Sequence, residues 1–85
     1  RLIRITNLTA AYGVTLLDPS TVPAGDTVTI KNQTTDTSII TITPAAGAIE
    51  YNGTANAAAY LLSGALGYVT FYSDGVSNYY IISEG

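Results

Sequence analysis

Neither cysteine nor histidine occurs anywhere in the 85 residues. Without thiols there is no disulfide and no thiolate, and without imidazole the commonest general base and metal ligand is missing. A nucleophilic Ser or Thr would have only Lys31 as a base, with no local motif around it. Charge is scarce too, at 11% of residues, against about a quarter in typical soluble domains. Arg1, Arg4 and Lys31 stand against six acids, giving a net charge of -3, a balance that repels phosphate backbones and argues against nucleic-acid binding. The longest apolar run, residues 57–62, is far short of the roughly 20 residues that a membrane-spanning helix needs, so no membrane partner is expected. Because the chain opens on Arg1 rather than Met, a fragment or processed product is expected.

A chain of this length forms one domain, residues 1–85, and buries only somewhat more than roughly 60% of its unfolded surface. Small folds with modest cores add disulfides, metals or partners. Cys and His are absent, and charges are too few to coat a free surface. Self-association is therefore the expected route, with no cofactor and no metal.

What is present reads as short strands. Residues 2–8 alternate around Ile3 and Ile5, and residues 13–17 end at the turn opener Asp18-Pro19. After a loop containing Pro23 and Gly25, residues 27–32 put Val28 and Ile30 on one face and Thr27, Thr29 and Lys31 on the other. Residues 38–43 repeat that alternation with Ile40 and Ile42 inward, so a hairpin between these two strands is predicted around the polar tract 33–38. Residues 48–51 form another short strand before Asn52-Gly53, a dipeptide suited to a tight turn. Residues 56–62 admit a strand or a short helix, the strand being favoured because seven residues make a marginal helix. Residues 68–73 and 78–82 flank Asp74-Gly75 and give the strongest hairpin signal in the chain. The thirteen Thr and seven Tyr suit a half-exposed pleated surface. The fold expected is all-β: a small antiparallel sandwich or barrel of roughly six to eight short strands.

Three segments carry a resemblance: Ala24-Gly-Asp-Thr-Val-Thr-Ile-Lys-Asn32, Ile40-Thr-Ile-Thr-Pro-Ala-Ala-Gly47, and Val69-Thr-Phe-Tyr-Ser-Asp-Gly75 with Tyr79-Tyr-Ile-Ile82. Together they resemble the C-terminal β domains of tailed-phage fibre, spike and head-appendage proteins, over residues 21–82. At the last strand those proteins often carry Trp, where this chain has Tyr79 and Tyr80. The resemblance implies a virion structural part, a homotrimer, with other virion proteins and a host surface glycan as further partners. Residues 1–20 fall outside it and are expected to be a connector region from a longer shaft.

Six carboxylates invite a glycosidase pair, but Asp18, Asp26, Asp36 and Asp74 all lie at predicted turns, where the side chain bonds its own backbone. Glu50 stands at a strand position and is expected to face solvent. No Asp-x-Asp-x-Asp-Gly spacing marks a calcium loop. No catalytic residue is assigned, and a non-enzymatic module is expected. Tyr60, Tyr68, Tyr72, Tyr79 and Tyr80, with Tyr51, are the candidate contacts, either as a subunit interface or as a platform stacking on sugar rings. Tyr68 and Tyr72 share parity, opposite to Val69 and Phe71. The leading expectation is an assembly module of a phage virion; the alternatives are a carbohydrate- or receptor-binding tip and a cell-surface adhesion module. Sequons begin at Asn7, Asn32 and Asn52, frequent by chance in so Thr-rich a chain.

Overall fold

The computed structural model describes residues 1–51 and 54–85, with the side chains of 54 and 55 left aside. The Asn52-Gly53 turn lies outside the described residues. Nine strands are present among them: β1 Leu2–Ile5, β2 Tyr12–Leu16, β3 Thr27–Asn32, β4 Ile40–Pro44, β5 Ala48–Tyr51, β6 Thr54–Ala57, β7 Tyr60–Leu62, β8 Tyr68–Ser73 and β9 Asn78–Glu84. They form a six-stranded sheet in the order β1-β3-β8-β9-β5-β6 and a three-stranded sheet in the order β2-β4-β7. The all-β class holds, and within residues 56–62 the chain is strand at 56–57, the end of β6, and at 60–62, which is β7. The sheets are mixed rather than antiparallel throughout. β1 runs parallel to β3, β2 to β4, and β5 to β9.

The period-two pattern explains which side chains enter the core. In β3 and β8 every second residue is buried: Val28, Ile30 and Asn32, then Val69, Phe71 and Ser73. From the three-stranded sheet Leu16, Ile40, Ile42 and Leu62 meet them, and Ile5, Leu8, Ile49 and Tyr79 complete one apolar cluster between the layers. Residues 1–20 contribute three of its members, Ile5, Leu8 and Leu16. The molecule is a sandwich whose larger sheet has one face on the core and one face uncovered.

The predicted hairpin of residues 27–32 and 38–43 is not formed. β3 lies in the six-stranded sheet between β1 and β8, whereas β4 lies in the other sheet between β2 and β7. Alternation specifies the face a side chain takes, not the neighbour its strand takes. The segment between them is a crossover held by Asn32, which is 1% exposed. Its Nδ2 donates to the Asp36 and Gly64 carbonyls at 3.0 and 3.2 Å. Its Oδ1 accepts from the Thr34 N–H and hydroxyl at 2.9 and 2.7 Å. A buried amide satisfied on both ends favours this path over a hairpin turn. It also removes Asn32 as a glycan acceptor in the folded state.

The β8–β9 hairpin forms as its sequence indicates. Asp74 Oδ1 accepts from the N–H groups of Val76, Ser77 and Asn78 at 2.7, 2.9 and 3.0 Å, and Gly75 sits at φ 76. These backbone bonds, that from Asn78 foremost, hold the Asp74 carboxyl below the usual carboxylate range. Asp18 and Asp36 make turns in the same manner, accepting from the N–H groups of Ser20 and Ser38.

Candidate interaction surface

The tyrosines divide by parity into an inner and an outer set. Tyr51, Tyr60 and Tyr79 turn inward and form an edge-to-face chain through Phe71. Centroids lie 5.5 Å apart for Tyr51 and Tyr60, 6.1 Å for Tyr60 and Phe71, and 6.2 Å for Phe71 and Tyr79, with interplanar angles of 88°, 85° and 74°. Such pairs each contribute about 0.5–1.5 kcal/mol beyond area burial. Tyr79 is 2% exposed, its hydroxyl donating to the Leu17 carbonyl at 2.7 Å. It is a core residue that ties β9 to the end of β2. Tyr60 crosses between the layers, and its hydroxyl donates to Glu84 at 2.7 Å. Partial burial, then that bond and the charge of Glu84, push the Tyr60 hydroxyl up to about 12, so it remains a neutral donor at physiological pH. Glu84 escaped the sequence reading because it follows the strand's apolar run, yet β9 extends through it.

The outer set is Tyr68, Tyr72 and Tyr80, all half-buried. Tyr79 and Tyr80 are adjacent in one strand and so face opposite ways. Strand register arranges the outer face in rows. One row runs Glu50, Tyr80, Tyr72, Thr27 across β5, β9, β8 and β3. A second runs Leu2, Thr29, Thr70, Ser83, with the Thr29 and Thr70 hydroxyls 2.8 Å apart. A third runs Arg4, Lys31, Tyr68. A bulge opposite Thr70 and Phe71 leaves Ile82 outside the pairing, where it is 58% exposed. Leu2 is equally open, at 57%.

Contacts on the first and third rows stiffen this face. The Tyr72 and Tyr80 rings lie 6.2 Å apart at 37°, and the Tyr80 hydroxyl points at Asp74 Oδ2 from 3.5 Å. Partial burial, then the Asp74 and Glu50 carboxylates, raise the Tyr80 hydroxyl above the ordinary phenol value. On the third row Lys31 Nζ lies 6.0 Å from the Tyr68 centroid and donates to the Leu66 carbonyl, and Tyr68 meets the Ser83 hydroxyl at 3.1 Å. The surface is thus a preset aromatic and threonine plane with basic side chains at one edge and Glu50 toward the other.

A second feature is a groove of about 290 Å³ between the layers, bounded by β1, β2 and the start of β3, its floor made by Ile3, Leu16, Val22, Val28 and Tyr79. Asp26 and Thr21 stand at its rim. Arg1, Thr15 and Thr27 also line it, so its lining is part apolar and part polar, and the Tyr79 hydroxyl is already bonded to the chain. Among the described residues, no three His, Cys, Asp or Glu gather to hold a metal, and no helix is long and apolar enough to cross a membrane. Searches of protein-family models, curated proteins and solved structures find no match to this chain.

Proposed function

We propose that this domain is a non-enzymatic structural module of a tailed-phage virion, part of a fibre, spike or capsid appendage, that acts by homotrimeric self-association. The observation that carries the self-association is the uncovered face of the six-stranded sheet. Leu2, Tyr68, Tyr72, Tyr80 and Ile82 stand on it with few charges between them, in a chain of 11% charged residues. Aromatic enrichment with depleted charge is the composition of the buried centre of a protein interface. The virion assignment rests on the sequence resemblance over residues 21–82, whose strands and Asp74-Gly75 hairpin supply the repeated β elements such appendages use.

A second reading, a carbohydrate-binding tip for host attachment, is favoured by one observation. Tyr72 and Tyr80 lie side by side next to the exposed Glu50, giving rings for sugar faces and a carboxylate for hydroxyls. Light scattering after size exclusion, at dilute and concentrated protein, separates the two. A mass three times that of the 8.8 kDa chain is the expected result, with the tyrosine face buried between copies. A monomer at every concentration would overturn the assembly proposal and leave the same tyrosines as ligand contacts.

A further inference from the structure

We propose that the outer face of the six-stranded sheet turns toward a three-fold axis shared with two further copies of this chain, the Arg4 and Lys31 edge of each copy lying against the Glu50 edge of the next. The proposal rests on the self-association above and adds the surface used and its polarity. Arg4 and Lys31 are neighbours on β1 and β3, at one side of the face. Glu50 is on β5, beyond β8 and β9. With strands about 4.8 Å apart, Lys31 and Glu50 are separated by three spacings, about 14 Å across the sheet. The register adds a further offset along the strands, since Glu50 is level with Thr27 while Lys31 stands four residues on. The two charge groups are therefore beyond the screening length of about 8–10 Å and do not neutralise one another within a chain.

Between them lies the least charged part of the surface: Tyr72, Tyr80, Thr70, Thr29 and the exposed Ile82 and Leu2. A centre poor in charge with opposite charges at its two margins fits further copies of itself arranged in a ring. Turning three such faces toward a common axis buries the centre and sets each basic margin on the acidic margin of the next copy. The reversed docking sets Arg4 against Arg4 and leaves Glu50 facing Glu50, and like charges at a contact select against it. Because both margins belong to the same chain, each copy offers one half of every contact, as symmetric assembly requires. The net charge of -3 adds general repulsion that the directed contacts offset.

Charge exchange tests this. Arg4 and Glu50 are exposed and sit outside the core, so R4E and E50R leave the far-UV spectrum unchanged. Each places like charges at the contact and weakens self-association by about tenfold or more in sedimentation equilibrium at low salt. The double variant R4E/E50R restores opposite signs and returns the dissociation constant to within about threefold of the parent. Should either reversal perturb folding, R4Q and E50Q remove the attraction alone and are expected to weaken assembly by about threefold. If the parent protein assembles while R4E, E50R and the double variant assemble equally well, this face is not the contact, though self-association stands. If the parent is monomeric throughout, both proposals fall.

Discussion

Replacing Phe71 with alanine is expected to lower stability by about 3–5 kcal/mol, the range for a large aromatic removed from a close-packed core. Phe71 is 0% exposed and occupies the middle of β8, paired with Val28 on one side and Ile81 on the other. Tyr60 and Tyr79 pack against it edge-to-face, so truncation opens a cavity and ends two aromatic contacts at once. A domain of this length has a total stability of roughly 4–13 kcal/mol, so the variant should lose at least about a quarter of it. Urea unfolding followed by tyrosine fluorescence measures the loss. Tyr72 sits one residue along the same strand on the opposite face, and Tyr72→Ala should cost less than half as much in the monomer. Equal losses at the two positions would mean that the core does not lie on the side assigned to it.

The second large effect is expected at Gly47. A Cβ there would stand 1.8 Å from the Ser77 carbonyl oxygen and 2.8 Å from its carbon, and the backbone has φ 74. Gly47 is the last residue before β5, where the Ala48 N–H donates to the same Ser77 oxygen at 3.1 Å. Alanine must therefore adopt a left-handed conformation costing about 1–2 kcal/mol and also push β5 away from β9. Losing the Ala48 bond adds about 1 kcal/mol, so Gly47→Ala should destabilise by about 2–3 kcal/mol. Gly25 supplies the control, since it has φ 93 but nothing within 4 Å of its Cβ position. Gly25→Ala should show the conformational part alone, about 1–2 kcal/mol. Thermal unfolding of the pair distinguishes them; equal falls in melting temperature would contradict the close approach of β5 to Ser77.

The sequence makes the faces of the strands plain and their neighbours obscure. Tyr68, Thr70 and Tyr72 alternate with Val69, Phe71 and Ser73, and burial follows that alternation because a pleated strand has no other choice. Asp74-Gly75 specifies its hairpin through one carboxylate and one left-handed glycine, both local. The pairing of β1 with β3 and of β2 with β4 is not local. It depends on the chain crossing between sheets after each of β1, β2 and β3, and on a single buried amide, Asn32, that ordinary composition marks only as polar. Glycine at 47 reads as a turn residue after Pro44, while its actual constraint is a backbone contact thirty residues away in the chain. The tyrosine cluster was visible in composition, and parity separated Tyr68 and Tyr72 from the core. Nothing local told that Tyr60 crosses the layers to reach Glu84, because that contact joins β7 of one sheet to β9 of the other.

The fold leaves one broad plane of a low-charge domain uncovered, and the proposed assembly covers it with further copies. Tyrosine nitration read residue by residue by peptide mass spectrometry tests this most directly. Tyr12, 53% exposed on the three-stranded sheet, is the internal reference. Tyr72 and Tyr80 are expected to be protected in the assembled protein and to gain reactivity when R4E dissociates it, while Tyr12 reacts alike in both. Nitration of Tyr72 and Tyr80 at the same rate in the parent and in R4E would contradict it.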